Sequence, residues 1–499
     1  MAAVDTHAAA AGGELPPEEF GYYLGRPAQP KLDMPLYSPY DQSLRLIGPM
    51  GSGKTFRFLG RVLRHAPGGA LVASSKPDIY ELTARRRARL GPVVTLDPQG
   101  VVPGQEPLRR SLVHGAHDTQ VAEMRAKAMV TAGGTGEKAD ESASFYKGQA
   151  ADLLACLLHA AALDGASLRD VLRWSRRPQD SAPRSILDHH PGAGPGWADI
   201  LVGTVTGDER TVGNTLSTLA RALSCFKHEA VIETVDVPQE RATDIEGLIQ
   251  AGGTIYLLGK DNPYSSVSPL VTAIAEDILD RAEQVAYTTP HRRLDPPFLC
   301  ALDEVANTPL PSLRQRVADG RGRGIAVIYA LQAWASAVKK FGRHDAAELA
   351  GYTNNVLVFG GVKEPDFLRD MERLSGKRRV LKVSTSSSRT RGERGSQSAQ
   401  PDWEPTLPDW KIQRLDKDLG EALLLAGDLP PVITRLPMLT DDADWPQIQR
   451  EVAEIRREAD AAAERLSAER RAWISRNRSA WEAQQSGTGS VRMDKEGDL

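Results

Sequence analysis

Eight consecutive residues have the composition of a phosphate-binding loop. The segment reads Gly48-Pro49-Met50-Gly51-Ser52-Gly53-Lys54-Thr55 and fits the pattern G-x-x-x-x-G-K-[ST], in which glycines let backbone N–H groups face a phosphate. Lys54 would contact the β- and γ-phosphates, and the hydroxyl of Thr55 would bind Mg²⁺. The alternative is a chance glycine-rich turn. Because every fixed position is present, the motif predicts that residues 48–55 bind ATP together with Mg²⁺.

Two acidic residues follow an apolar run much later in the chain. Residues 298–302 lead into Asp303 and Glu304, which is the pattern of a buried strand that presents carboxylates at its end. Asp303 would hold Mg²⁺ directly or through water, and Glu304 would orient and deprotonate an attacking water. Such a strand is common by itself. Its pairing with the phosphate-binding loop predicts an ATPase that transfers the phosphoryl group to water.

Two further positions are candidates for catalysis. Gln332 follows the apolar run 325–331 and would sense the γ-phosphate; the alternative is an ordinary polar residue at a helix start. Arg321 and Arg323 alternate with glycines in residues 319–324, which favours an exposed loop over a helix. An arginine on such a loop would reach the γ-phosphate of a neighbouring subunit. The alternative is a solvated basic turn.

Composition limits the possible partners and the compartment. The 499 residues suffice for two or three domains, and the net charge of −3 requires any DNA contact to be local. Candidate basic clusters lie at residues 85–89, 377–379 and 389–394. No apolar stretch has the length of a membrane span, and the first residues lack the pattern of a signal peptide. We therefore expect a cytoplasmic chain.

The spacing of apolar runs predicts the elements that would position these residues. Strand-like runs occur at 44–47, 70–73, 93–96, 254–258, 298–302, 325–331 and 356–359, with helical patterns between several of them. This alternation predicts an α/β fold with a mostly parallel sheet. Residues 114–236 contain only helical patterns, at 119–131, 144–163, 167–175 and 211–223. We expect an inserted all-α domain there; the alternative is a misassigned stretch of the α/β fold.

These patterns divide the chain into segments. We expect an extended lead-in at 1–40, a nucleotide-binding domain in two parts at 41–113 and 237–440, and the all-α domain at 114–236. Residues 383–401, rich in Ser, Thr, Arg and Gly, are expected to be a flexible linker or loop. Residues 441–485 are expected to form a C-terminal helix with a weak apolar stripe (Ala453, Ile455, Ala462 and Leu466), and residues 486–499 a disordered tail.

Beyond these motifs, the chain resembles the TraG/TraD-like type IV coupling proteins of bacterial conjugation, within the FtsK/HerA class of DNA-pumping ATPases. The resemblance spans most of residues 20–440. Besides the two ATPase motifs, it rests on two more specific boxes, Ser75-Lys76-Pro77-Asp78-Ile79-Tyr80-Glu81-Leu82-Thr83 and Leu96-Asp97-Pro98-Gln99-Gly100, and on Gly320-Arg321-Gly322-Arg323-Gly324 with Leu331-Gln332.

The resemblance implies a homo-hexameric ring of RecA-like P-loop ATPase domains with TraM recognition. Such a ring couples ATP hydrolysis to the movement of relaxase-bound single-stranded DNA into a type IV secretion channel, and its all-α domain receives the relaxosome. By position, Arg321 matches the trans-acting arginine better than Arg323 does. Members of this family usually carry N-terminal transmembrane helices; we expect none here, so attachment to the inner face of the membrane would need a partner protein. The family also carries a Trp-x-Pro element after the Asp-Pro-x-Gly box; in this chain residues 109–112, Arg-Arg-Ser-Leu, stand in its place.

Two other functions remain open at the level of sequence. One is a DNA translocase for chromosome segregation or repair. The other is a nucleotide-gated adaptor that docks relaxase substrates without acting as a motor. ATPase assays with and without single-stranded DNA would separate the adaptor from the motors.

Overall fold

The computed structural model describes residues 17–29, 32–134, 141–260, 266–385, 397–427 and 429–487. Within these ranges eleven strands form one sheet, in the order β2-β1-β13-β12-β9-β3-β8-β7-β4-β6-β5. In chain order the strands are β1 Gly21–Pro27, β2 Leu36–Pro39, β3 Leu44–Ile47, β4 Ala70–Ser74, β5 Val93–Leu96, β6 Thr254–Leu258, β7 Phe298–Leu302, β8 Ile325–Leu331, β9 Asn355–Phe359, β12 Glu421–Ala426 and β13 Val432–Arg435.

The seven strands from β9 to β5 are parallel. They are the seven strands expected from the apolar runs, so the α/β fold with a mostly parallel sheet is confirmed. Nearly every residue of these strands is buried, because helices cover both faces of a parallel sheet. All seven therefore end at the same edge, where the phosphate-binding loop and the acidic pair meet.

The sequence reading missed part of the antiparallel half of the sheet. The expected lead-in at 1–40 contains β1 and β2, which pair with each other, and β1 also pairs with β13. Tyr22, Leu24 and Tyr40 are buried there. The many Pro and Gly residues in this segment obscure the apolar pattern of the two strands. β12 and β13 form an antiparallel hairpin. Because β1 and β2 continue the sheet beyond β13, this hairpin does not lie at the sheet edge.

Between β5 and β6 the described residues from 119 to 250 form helices and no strand. We call this segment the helical insert. The helices outside it are α1 Pro17–Phe20, α2 Gly60–His65, α3 Asp78–Arg87, α12 Ser268–Thr288, α13 Leu313–Arg323, α14 Trp334–Phe341, α15 Arg343–Tyr352, α16 Pro365–Leu374, α17 Asp409–Gln413 and α18 Trp445–Gly487. Those of the insert are α4 Thr119–Gly133, α5 Glu141–Asp164, α6 Leu168–Arg176, α7 Ala182–His189, α8 Trp197–Val205, α9 Glu209–Ala222, α10 Glu229–Val235 and α11 Ile245–Gln250.

A buried ion pair joins the helical insert to the sheet-covering helices. Arg125 of α4 is fully buried and donates to Asp277 of α12 at 2.6 Å, and Arg110 donates to the other carboxylate oxygen at 2.7 Å. Burial opposes ionisation of Asp277, but the two guanidinium groups outweigh it and lower its pKa. Removing one partner would leave an unpaired buried charge, which costs about 3–5 kcal/mol.

The segment expected to be a flexible linker, residues 383–401, is partly a strand pair. A separate two-stranded sheet joins β10 Lys377–Thr385 to β11 Gln397–Pro405. Residues 383–385 and 397–401 belong to these strands because backbone pairing orders a polar sequence that has no apolar face. Residues 386–396, which include the whole basic cluster 389–394, lie outside the described residues.

The C-terminal helix forms as predicted, and its first half packs against α3. In α18, Ile448, Ile455 and Ala462 are buried, whereas Ala453 is exposed and Leu466 is 58% exposed. The expected stripe was therefore wrong at Ala453 and Leu466, because the face that packs against α3 follows a seven-residue spacing. Residues 1–16 and 488–499, at the two ends of the chain, lie outside the described residues.

In the basic cluster 85–89, two arginines pair with α18 and a third is buried within the rest of the fold. Arg87 is fully buried and donates to Thr254 Oγ1 at 2.7 Å and to two backbone carbonyls. Arg85 pairs with Glu458 and Arg89 with Glu451, both on α18. These three side chains are therefore engaged within the fold. Among all helices in the described part of the chain, none has the length and apolarity needed to cross a lipid bilayer.

Candidate nucleotide-binding and hydrolysis site

The phosphate-binding loop leaves the centre of the sheet. It follows β3, which lies between β8 and β9, and the N–H of Gly48 donates to the Leu331 carbonyl at 3.1 Å. Gly51 and Gly53 have φ angles of 76° and 90°, which are strained for residues with a side chain. A Cβ on Gly48 would lie 2.7 Å from Ser52 Oγ. The glycines at these positions are therefore required by the backbone path.

The helix after this loop starts with a wide turn, and its side chains fit a phosphate ligand. Residues Lys54–Leu59 form a π-type turn that continues into α2. Lys54 Nζ donates to the carbonyls of Gly48 and Pro49, the latter at 3.2 Å. Ser52 Oγ is buried and has no hydrogen-bond partner among the described residues. An inward-facing lysine and an unpartnered hydroxyl in one loop are what a bound triphosphate would satisfy.

The candidate metal ligands Thr55 and Asp303 lie close together. Thr55 Oγ1 lies 3.5 Å from Asp303 Oδ1, and Ser74 Oγ donates to Asp303 Oδ2 at 2.9 Å. Burial raises the pKa of Asp303, against the hydrogen bond from Ser74 and the charge of Lys54. One hydroxyl and one carboxylate suit Mg²⁺, which keeps waters and phosphate oxygens as its other ligands. The described residues contain no cluster of three or more His, Cys, Asp or Glu side chains that would form a protein-only metal cage.

The candidate base lies beside the candidate metal ligand. Burial raises the pKa of Glu304 to about 7, although the charge of Lys54 and a hydrogen bond with Gln332 act in the opposite direction. Gln332 reaches Glu304 because β8 pairs with β7, with Leu302 opposite Tyr329. A carboxylate with a pKa near neutrality accepts and releases protons readily at physiological pH. The structure thus brings together Lys54, Glu304 and Gln332; their roles stay predictions.

The predicted loop setting of Arg321 is wrong. Residues 319–323 form the last turns of α13, which ends at Gly324 with a φ of 70°. Gly320 lies inside this helix. A Cβ there would lie 2.6 Å from the Ile325 carbonyl oxygen, so the glycine allows the helix to pack closely against the start of β8. Since β8 separates this helix end from Gly48, Arg321 lies roughly 20 Å from the phosphate-binding loop of its own chain.

The two candidate arginines differ in their partners. Arg323 lies 3.0 Å from Glu283 and stacks over the Tyr287 ring at 5.6 Å. Arg321 is 56% exposed and makes one long contact, 3.4 Å, with Asp41. Arg321 is therefore the more available of the two for a ligand outside its own chain.

Two residues that position the site were missed by the sequence reading. Ser74 connects the Asp303 carboxylate to the N–H of Lys76, which donates to Ser74 Oγ at 3.2 Å. Arg57 is buried and donates to the carbonyls of Leu436 and Asp418 at 2.6 Å and 2.9 Å. Ser74 could have been found from its place directly before the Ser75–Thr83 box. No sequence pattern marks Arg57, because its partners lie more than three hundred residues away along the chain.

Comparisons with known proteins were consistent with this geometry. A family model described as the TraM recognition site of TraD and TraG matches residues 297–417, a segment that includes Asp303, Glu304, Arg321 and Gln332. No curated protein matches the chain.

Solved structures of one coupling protein share the fold. The bacterial conjugative coupling protein TrwBdeltaN70, in its unbound monoclinic form, is 16% identical with a TM-score of 0.61, covering 84% of this chain and 90% of that one. TrwB in complex with the non-hydrolysable ATP analogue ADPNP is 16% identical, and TrwB with ADP and Mg²⁺ is 17% identical. Each has a TM-score of 0.58 and covers 85% of this chain and 96% of its own. The chain therefore shares the RecA-like α/β fold of TrwB, and its residues 297–417 match the TraM recognition site of TraD and TraG.

Proposed function

We propose that this chain is an ATP-hydrolysing coupling protein that recruits relaxase-bound single-stranded DNA and drives it into a type IV secretion channel. The observation that carries the ATPase part is the convergence of Lys54, Thr55, Asp303 and Glu304 at the carboxyl edge of the parallel sheet. The match to the TraM recognition site supports a relaxosome partner. The TrwB structures with nucleotide and Mg²⁺ support ATP and Mg²⁺ as ligands.

In this proposal each side chain has one task. Lys54 leaves the loop carbonyls and binds the phosphates, while Thr55 and Asp303 hold Mg²⁺, which when bound neutralises charge on the phosphate oxygens. Glu304, held by Gln332, takes a proton from the attacking water. Backbone N–H groups of the glycine-rich loop, from Met50 onward because Pro49 has none, would donate to the phosphates.

The assembly belongs to the proposal as well. Arg321 is too far from the site of its own chain to act there, so a trans role requires a ring in which it faces the next subunit, and we propose a homo-hexamer. The segment 114–236 would act as the domain that receives the relaxosome. A partner protein would attach the ring to the inner face of the cell membrane.

The test is ATP turnover with and without single-stranded DNA, in three proteins. The wild type should hydrolyse ATP and respond to DNA. Lys54→Ala should lose nucleotide affinity, whereas Glu304→Gln should bind ATP but not turn it over, because Glu304 acts on the water and not on the bound phosphates. Near-normal turnover by Glu304→Gln would remove Glu304 as the base. Slow turnover that ignores DNA, with intact relaxase capture, would favour the non-motor adaptor.

A further inference from the structure

A surface cavity of the helical insert carries an excess of positive charge. It has a volume of about 410 Å³ and lies between α6 and the start of α10. Its floor is apolar, formed by the buried side chains of Leu172, Phe226 and Ile232. Its rim is mostly basic and is formed by five cationic side chains and one carboxylate, that of Glu229; the cations are Arg169, Arg173, Arg176, Arg177 and Lys227. This cluster was not among the basic clusters identified in the sequence.

The helix α6 aligns the arginines. Arg169, Arg173 and Arg176 are spaced by four and three residues, which places them on one helical face. Ser167 caps the start of the helix by accepting from the Asp170 N–H, and the Asp170 carboxylate accepts in return from the Ser167 N–H. The three arginines therefore extend along about 10 Å of a helix with a fixed start.

Only part of this charge is neutralised within the chain. Arg169 pairs with Glu229 and with Asp236, and Arg173 pairs with Asp170 at 2.8 Å. By contrast, the exposed side chains of Arg176, Arg177 and Lys227 make no ion pair or hydrogen bond within the described part of the chain. Three like charges beside an apolar floor repel one another, and an anion in the cavity would relieve that repulsion.

We propose that this cavity binds the phosphate backbone of single-stranded DNA. Guanidinium groups, which form two of the three uncompensated charges, match the geometry of phosphate oxygens in pairs. The uncompensated side chains of Arg176, Arg177 and Lys227 would each contact a phosphate of a strand that crosses the rim. Phe226 is only 1% exposed, so the cavity offers no ring for stacking and binding would not depend on base sequence.

The inference deepens the proposed function by locating one contact with its DNA substrate on the helical insert. It concerns binding alone, since the basic residues lie outside the hydrolysis site. Basal ATP turnover without DNA should therefore be unchanged when they are replaced.

The experiment measures binding of labelled oligothymidylate to the full chain by fluorescence anisotropy over a range of salt concentrations. The test variant is Arg176→Ala/Arg177→Ala. The matched control is Arg210→Ala, an exposed arginine of α9 that does not line the cavity. Loss of two phosphate contacts should weaken binding roughly 25-fold at about 0.1 M salt and reduce the slope of log K against log salt by about 1.4. The control should bind as the wild type does, and Arg176→Lys/Arg177→Lys should retain most of the affinity.

Three results would overturn the proposal. One is equal DNA binding by the Ala/Ala variant and the control. Another is unchanged DNA binding together with lost binding of polyglutamate, which would assign the cavity to an acidic protein. The third is competition by inorganic phosphate as effective as that by oligonucleotide phosphate, which would reduce the cavity to a small-anion site. If the wild type binds DNA through this cavity but hydrolyses no ATP, the inference stands and the proposed function fails.

Discussion

Replacing Glu304 with glutamine should stabilise the folded protein at neutral and alkaline pH. In the folded chain the pKa of Glu304 is raised to about 7 by burial, from an ordinary value of 4.5. The unfolded chain therefore loses the proton first as pH rises, and ionising Glu304 in the fold costs free energy. The shift corresponds to about 3 kcal/mol at pH values above 7, as an upper bound. Glutamine is neutral at every pH and avoids this cost.

The sign of the effect fixes its pH dependence. Below about pH 4.5 both folded and unfolded Glu304 are protonated, so wild type and Glu304→Gln should be equally stable there. Between pH 4.5 and 7 the advantage of the variant should grow, and above pH 7 it should be constant. Part of the wild-type cost is already offset by the charge of Lys54, which lowers the pKa of Glu304.

Urea unfolding of both nucleotide-free proteins, at a series of pH values, measures this difference. Glu469→Gln, an exposed position of α18, is the control and should differ from wild type by less than about 0.5 kcal/mol. The reasoning would be refuted by a variant that gains no stability at pH 8. A gain of the same size at pH 5 and pH 8 would also refute it, because the effect would then come from packing rather than ionisation.

Three further predictions concern the same site. In Gln332→Ala, the pKa of Glu304 should rise further because a hydrogen bond that lowers it is lost, so the acid limb of kcat/KM should move to higher pH; an unmoved limb would contradict the contact. Ser74→Ala should raise the Mg²⁺ concentration for half-maximal turnover roughly tenfold, with rescue by Ser74→Thr; an unchanged Mg²⁺ requirement would make Ser74 purely structural. Arg321→Ala should lower turnover about 10³-fold with ATP affinity kept, and mixing it with Lys54→Ala should restore part of the activity; no recovery in verified mixed rings argues against a trans role.

Local sequence was sufficient wherever a structural feature depends on neighbours along the chain. The seven parallel strands could be predicted because their apolar runs are short and continuous. Four of the eight helices of the insert, α4, α5, α6 and α9, could be predicted from their helical patterns. The phosphate-binding loop was predictable because its glycines are required by its own backbone path, with positive φ at Gly51 and Gly53. The proximity of Asp303 to Thr55 also followed from sequence, since parallel strands end at one edge.

Features that depend on partners distant in sequence could not be predicted. Arg321 was expected in a loop because glycines disfavour helices, but Gly320 is needed for contact with Ile325. Nothing in the local sequence marks Arg57 as buried and hydrogen-bonded, because its partners lie hundreds of residues away along the chain. Nor does the local sequence mark Ile455 as buried, because its burial depends on which face of α18 packs against α3.

The sequence by itself determined the type of site: the order of the strands along the chain, the loop that would bind ATP and the acids that follow β7. Tertiary structure alone decided which charges remain available for partners. Of the basic clusters, residues 85–89 are largely occupied by α18 and by backbone carbonyls. Arg176, Arg177 and Lys227, by contrast, line a cavity and have no carboxylate partner among the described residues. The physical reason is that the sequence determines which side chains carry charge, whereas the neutralisation of each charge depends on which groups the fold brings within a few ångströms of it.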